Sequence, residues 1–445
     1  MGVISIDVPL LVLGLGTLLF GRFFLPRYTF QILCQLVGTI QAQYSWVLAW
    51  SLGRLTPLLA ASRVPPRASR AFIYFLPFVA YGLVITILLA PTWKIPGQLE
   101  AAYGKYRYLI QLANFATMAA AAAAFAEALE HPRAPYLLFD GLSVLAVLHG
   151  GASVYQMVAS FSGLPIIGIS RAFQDDANMT AAAFDHEGVS LLRPGGLAGE
   201  PKTAAVFFAL YLLVRLYAQL PRPHSSRRAA VEAAALWLSI AGLLLTWSTS
   251  GFVGLLLAGA VLAFRFGLRR SVINRSLLLI CVGLSSWSLV SSALGLRSLS
   301  EVLEARTTQR LREQDRTSMD PPVAVSLELI RRDPMVALFG TGLGGSSFLI
   351  MEELGPHVPS YAANIGWVLT ATELGFVGTL LLLLPMGLLG VLPAPRSPTD
   401  HAAWRFYCCA GIGTLLLHMT GSGLPMGLSL SIGAMSAAGG VAMRK

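Results

Sequence analysis

The sequence predicts an all-α polytopic membrane protein, with about twelve transmembrane helices and a large external loop that contains short helices. Three observations carry this. Apolar residues make up 55% of the 445 positions and charged residues only 12%, where an ordinary soluble domain carries about 25% charge. Apolar runs recur at the length of about 20 residues that a bilayer core demands of a helix. Basic residues gather in the short connections, within a net charge of +10 from 32 Lys and Arg against 22 Asp and Glu. So little charge cannot coat a soluble chain of this length. A cytosolic enzyme, a disordered chain and a nucleic-acid binder with a basic face are thereby excluded, and no nucleic acid is expected as a partner.

The spans are expected near 8–25, 31–56, 72–90, 107–128, 136–158, 203–220, 231–248, 251–267, 275–294, 365–391, 404–421 and 425–442. The second holds Gln31, Gln35, Gln41 and Gln43, which are expected to face the bundle interior. The fourth is an alanine run closed by Glu127 and Glu130. The opening stretch MGVISIDVPLLVLGLG lacks a basic n-region and a clear cleavage site, so it reads as a first membrane helix and not as a signal peptide. Residues 1–445 then form one transmembrane domain. Cys34, Cys281, Cys408 and Cys409 all sit inside apolar runs and read as small buried hydrophobes. There is no CxxC, HExxH or Walker-type motif, so neither a metal nor a cofactor is expected.

The short basic loops are 62–70 (SRVPPRASR), 131–135 (HPRAP), 221–228 (PRPHSSRR), 265–270 (RFGLRR) and the C-terminal MRK. If the spans alternate, all fall on one side. The positive-inside rule makes that side cytoplasmic. Both termini are then expected in the cytoplasm and the protein in a bacterial inner membrane. The opposite, periplasmic side receives a loop at 91–106, a longer one at 159–202 and the longest at 295–364, with acidic and basic residues mixed.

Loops beyond about 15 residues are usually functional or disordered, and 295–364 is not of low complexity. SLSEVLEARTTQRLREQ can form an amphipathic helix, with Leu299, Val302, Leu303 and Leu311 on one face. VAVSLELI has helical spacing, and Pro321-Pro322 and Asp333-Pro334 mark breaks. These helices are expected to roof a cavity. In 159–202, Arg193-Pro194-Gly195-Gly196 precedes Gly199-Glu200-Pro201-Lys202, and a span begins at once. Pro201 suits a first helical turn, where its missing N–H costs nothing. The free amides of that helix start, with Lys202 beside them, suit an anionic group such as a phosphate.

Three stretches resemble the bacterial O-antigen polymerase and O-antigen ligase superfamily, the Wzy-type polymerases and their relatives. RPGGLAGEPKTAAVFFAL (193–210) is similar to the family's Arg-x-x-Gly…(Glu/Asn)-Pro segment before a membrane helix. LLLTWSTSGFVGLLLAGAVL (243–262) is similar to its Ser/Thr-rich helical hairpin. DRTSMDPPVAVSLELIRRDPMVALFGTGLGG followed by NIGWVLTATELGFVGTLLLL is similar to its Gly-Arg…Pro-Leu-Phe-Gly-x-Gly and His-Asn…Glu-x-Gly-x-x-Gly pattern. The likeness extends over about 190–380. It implies a GT-C-like fold that transfers an oligosaccharide from undecaprenyl pyrophosphate to a sugar hydroxyl, on the periplasmic side and without a metal. The implied partners are the lipid-linked glycan, membrane lipids and a chain-length regulator. The family's His before Glu-x-Gly-x-x-Gly falls on Asn364, and the Ser-Arg that some members carry at the hairpin is Ser250-Gly251. Both departures favour the polymerase branch over the ligase branch.

The resemblance implies that Arg193 and Arg316 hold the pyrophosphate. Negative charge grows there as the leaving group departs, and a planar guanidinium meets phosphate oxygens bidentately. Either arginine can instead serve a loop salt bridge, Arg316 with Glu313 or Asp315. Arg171 and Lys202 are candidates for the same phosphates or for lipid headgroups. Glu200 and His357 are candidate general bases for the attacking hydroxyl. Glu200 can also be a helix-start charge stabilised by the dipole, and His357 a solvated loop residue. Asn364 is placed to bind sugar or to cap the following span. Glu373, about two turns into that span, is either functional or a structural hydrogen-bond partner within the bundle. Arg331-Arg332 reads first as a solvated pair at a helix end; as a phosphate clamp, Arg332 would join the binding set. His149, His186 and His418 read as structural. A transporter or flippase is the alternative of a different class, and it would want charges and broken helices inside the bilayer.

Overall fold

The computed structural model describes residues 3–7, 71–93, 107–162, 164, 166–170, 181–186, 189–198, 201–221, 225–246, 248–267, 285, 321–355, 365–421 and 425–443. The described residues are mostly helical, at 87%. The helices are α1 (Leu76–Leu89, with a 3-10 turn at each end), α2 (Arg107–Ala128), α3 (Ala134–Ser162), α4 (Pro201–Tyr217), α5 (Ser226–Leu245) and α6 (Thr249–Phe266). They continue as α7 (Pro321–Arg332), α8 (Pro334–Phe339), α9 (Gly345–Leu354), α10 (Gly366–Val391), α11 (Pro398–Thr420) and α12 (Pro425–Ala442).

Helices stand where nine of the expected spans lie, because a run of about 20 apolar residues can satisfy its own backbone in lipid only as a helix. The spans expected at 8–25 and 31–56 lie outside the described residues, as does all of 275–294 except residue 285. Among the described residues, five helical segments are long and apolar enough to cross a membrane: Ile73–Thr92, Ala134–Ser160, Ser226–Leu245, Thr249–Phe266 and Gly366–Val391. The protein is thus an α-helical, membrane-embedded chain.

It is not wholly helical. The segment 159–202, expected from sequence to be a periplasmic loop, contains strand β2 (Ile166–Ser170) and an antiparallel hairpin of β3 (Ala181–His186) and β4 (Val189–Pro194). β2 pairs in parallel with β1 (Val3–Asp7), in register from Val3 on Ile166 to Asp7 on Ser170. β2 follows α3 within four residues, so this pairing brings residues 3–7 to the carboxyl end of α3. α12 finishes at the opposite end of the bundle.

Connections among the described helices gather at two ends. At one end Arg405 donates to the Tyr217 carbonyl, Arg265 to the carbonyls of Gly390 and Leu392, and Arg228 pairs with Asp140. Trp404 and Phe266 meet edge to face there. At the other end the Gly366 amide donates to the Gly421 carbonyl at 2.7 Å, and the hairpin lies against α3 and α5. The described parts of the short basic loops, 131–135, 225–228 and 265–267, all adjoin the first end, as antiparallel neighbours require. α4 stands at the centre. Thirteen of its seventeen residues are buried, as befits a helix that is apolar all round. Phe207, Phe208 and Tyr211 are fully enclosed.

The expected breaks at Pro321-Pro322 and Asp333-Pro334 hold. α7 begins at Pro321, and the Asp333 carboxylate caps α8 by accepting from the amides of Met335 and Val336. α7 packs Val323 against Val368 of α10.

Candidate functional site

Arg193 is the penultimate residue of strand β4, opposite Ala182 in the hairpin. It is half-buried, and its Nε donates to the Thr246 carbonyl at 3.1 Å. Thr246 closes α5, so the guanidinium rests on the negative end of a helix dipole. Pro194, Gly195 and Gly196 follow, all buried. α3 holds this turn with side chains one and two turns apart. Gln156 accepts from the Gly196 amide at 2.9 Å and donates to the Gly196 carbonyl at 3.2 Å. His149 Nδ1 accepts from the Leu197 amide at 2.7 Å. Gly196 has φ +53°, and a Cβ there would meet His149 Nδ1 and Ser153 Oγ at 2.7 Å. Only glycine combines that conformation with that approach.

The His149 ring is fully buried, stacked on Phe208 and edge-on to Phe207 of α4. The turn leads directly into α4, whose first residue is Pro201, as the sequence predicts. Lys202 is half-buried in that first turn. A cation and a helix amino terminus thus lie eight positions apart in the chain, two features suited to an anionic group.

The second assembly surrounds Glu373. Gly375 has φ +64° and interrupts α10 nine residues after its start. Such a break releases carbonyls that lipid cannot satisfy. The loop between α8 and α9 supplies the donors: the amides of Thr341 and Gly342 reach the carbonyls of Thr372 and Glu373, both at 2.9 Å. A Cβ on Gly375 would lie 2.5 Å from the Gly340 amide nitrogen, so the two glycines need each other. The loop is also tied to α1. Leu343 donates its amide to Thr86 Oγ1 at 2.9 Å, Tyr81 donates to the Phe339 carbonyl at 2.7 Å, and Trp93 Nε1 donates to the Thr341 carbonyl at 2.9 Å. The half-buried Glu373 carboxylate accepts from Ser346 Oγ at 2.9 Å. Ser346 lies in the first turn of α9, where a negative charge is stabilised.

The two assemblies share one end of the bundle. Gly366 of α10 bonds to Gly421 at the end of α11, and Gly421 lies against Val206 in the second turn of α4. Arg193, Lys202 and Glu373 are therefore all at or near that end. Arg332 is elsewhere in character. It is exposed on α7 and pairs with Glu328 at 2.6 Å, while Arg331 approaches the same carboxylate at 3.4 Å. This is the solvated pair at a helix end. Arg171, Glu200, Arg316, His357 and Asn364 lie outside the described residues. Among the described residues, no group of three or more His, Cys, Asp or Glu side chains could hold a metal ion.

Sequence reasoning set His149 aside as structural and did not single out Gln156. The signal was present as His149, Ser153 and Gln156 at i, i+4 and i+7, a polar stripe down one face of an otherwise apolar helix. The junction of Gly340 with Gly375 was split between two motifs and gave no sign of contact. No family model and no curated protein matches the chain.

Proposed function

We propose that the chain is a polysaccharide polymerase. It transfers an undecaprenyl-pyrophosphate-linked oligosaccharide onto the sugar hydroxyl of another repeat unit, at the periplasmic face of the inner membrane. In the reaction the acceptor oxygen bonds to the donor's anomeric carbon as the bond from that carbon to the pyrophosphate oxygen breaks. The acceptor's proton passes to a base, and the lipid pyrophosphate leaves with the charge. A fixed guanidinium aimed at that oxygen stabilises the transition state more than the ground state.

The observation that carries this reading is the Arg193 turn. A cation seated on the α5 terminus stands a few residues before the α4 amino terminus, where Lys202 lies. The glycine-locked meeting of Phe339–Gly342 with Glu373–Gly375 adds support, because these are the two halves of the motif pattern behind the resemblance. Arg316 from 295–364 completes the proposed pyrophosphate site, with the α7–α9 segment as its roof.

The test is turnover of an undecaprenyl-pyrophosphate oligosaccharide by the purified protein, alongside Arg193→Ala and Arg316→Ala. Loss in both variants is expected; full activity in both overturns the site. A ligase of the same fold is separated in cells. Loss of a polymerase leaves single repeat units on the product, whereas loss of a ligase accumulates long lipid-linked chains.

One observation favours a second reading, a transporter or flippase. α10 is discontinuous beside a half-buried carboxylate, Glu373, a device that transporters use at their binding sites. Movement of substrate across vesicles without glycan elongation would establish it.

A further inference from the structure

Between Arg193 and Pro201 the chain has seven residues in which to set the distance from a guanidinium to a helix amino terminus. Most loops of that length are held by their own turns and by solvent. This one is held from inside the bundle. Both polar atoms of the Gly196 peptide are taken by the single amide of Gln156, and the next amide, Leu197, is taken by His149. Ser153 and the aromatic faces of Phe207 and Phe208 close the remaining space.

The bond to Leu197 also decides the chemistry of the ring. A nitrogen that accepts an amide N–H carries no proton, so the neutral imidazole has its proton on Nε2. His149 is fully buried and Gln156 nearly so. Buried polar side chains on an apolar helix are costly unless bonded. Among those that α3 carries, His149 and Gln156 are both directed at the backbone of the Arg193 turn.

We propose that His149 and Gln156 are positioning residues for the transfer reaction. They form a latch that holds the Arg193–Leu197 turn, and with it the Arg193 guanidinium, where the leaving pyrophosphate requires it. The proposal rests on the polymerase reading. Neither residue need touch substrate. The property that matters in His149 is an acceptor at the Nδ1 position, and Asn provides one at nearly the same place. Gln places its oxygen one bond farther out, and Leu has none.

The experiment compares wild type, His149→Asn, His149→Gln and His149→Leu as full-length protein. It measures turnover of undecaprenyl-pyrophosphate oligosaccharide and hydrogen–deuterium exchange of the peptide spanning Gly195–Ala198. In wild type and His149→Asn the Gly196 and Leu197 amides should exchange slowly. In His149→Leu they should exchange at least about tenfold faster, and kcat should fall by about a hundredfold, as misplacement by about 1 Å can produce. The Asn variant should stay within a few fold of wild type, and the Gln variant should behave as Leu does. Equal exchange in all four proteins overturns the latch. Exchange altered as expected but kcat unchanged in His149→Leu overturns the positioning role. An Asn variant as impaired as Leu shows that the acceptor is not the relevant property and overturns the assignment. Wild-type protein that elongates no lipid-linked glycan, with the exchange pattern intact, overturns the polymerase reading and the positioning role with it, while the latch stands.

Discussion

Gly342 donates its main-chain amide to the carbonyl oxygen of Glu373 at 2.9 Å, across 31 residues of sequence. With the parallel bond from Thr341 to Thr372, it seals the break that Gly375 makes in α10. Non-helical backbone at membrane depth persists only where other protein groups satisfy it, and the loop from Gly340 to Gly344 does so here.

Gly375→Ala tests that seal. The new methyl meets the Gly340 amide and the Leu338 carbonyl, and the residue must hold φ +64°. With ψ −171° this is a backbone region open in practice only to glycine, at a cost of about 1–3 kcal/mol, and overpacking adds about 1–3 kcal/mol. Thermal unfolding in detergent should show a clear loss of stability. An unchanged midpoint would mean that the junction relaxes freely.

Glu373 separates the two functional readings. Glu373→Gln keeps an acceptor for Ser346 Oγ and removes the charge. If the carboxylate anchors α9, the variant should fold normally and retain glycan elongation, while Glu373→Ala loses stability by about 1–3 kcal/mol through an unsatisfied buried hydroxyl. If the protein is a transporter coupled through Glu373, the Gln variant should fold normally and lose transport in vesicles.

Arg193 should not be replaceable by lysine. Arg193→Lys keeps the charge but loses the fork that spans two phosphate oxygens. Removing one preorganised donor from a developing anion costs about 10²–10³ in rate. The expected order of kcat is wild type, then Lys, then Ala, with both variants folded. Equal activity of Lys and Arg would mean that only charge is required.

At the opposite end, Arg405 is buried and donates to the Tyr217 carbonyl from Nε and Nη2 at 3.2 and 2.9 Å, with its guanidinium over the Phe266 ring at 4.6 Å. Arg405→Ala leaves the carboxyl end of α4 unsatisfied and opens space beside Phe266. A loss of about 1–3 kcal/mol is expected, with kcat per folded molecule unchanged, because this staple lies at the end of the bundle away from Arg193. A selective loss of activity would overturn that separation.

Much of the helical frame was readable along the chain. The runs at 107–128 and 425–442 were bounded to the residue, and Pro201, Pro321 and Pro334 each open a helix as proline geometry requires. The hairpin was not readable. Strand β3 is AAAFDH, which lacks the β-branched residues that mark strands; its form depends on pairing with β4. The cap at Asp333 and the solvated Glu328–Arg332 pair follow local rules and were within reach.

What the sequence determined by itself is what depends on near neighbours: the membrane-embedded helical class, the existence of helices at nine of the expected spans, and the bounds of those at 107–128 and 425–442. Hydrophobicity and backbone self-satisfaction act over a single turn or a single span, so one dimension contains them. The tertiary structure alone decided which atoms meet: Gln156 with Gly196, His149 with Leu197, and the glycine loop with the broken α10. Each joins segments 31 to 48 residues apart. Each is set by how tightly helices pack and by the need to satisfy buried polar backbone, a need that residue order alone does not reveal.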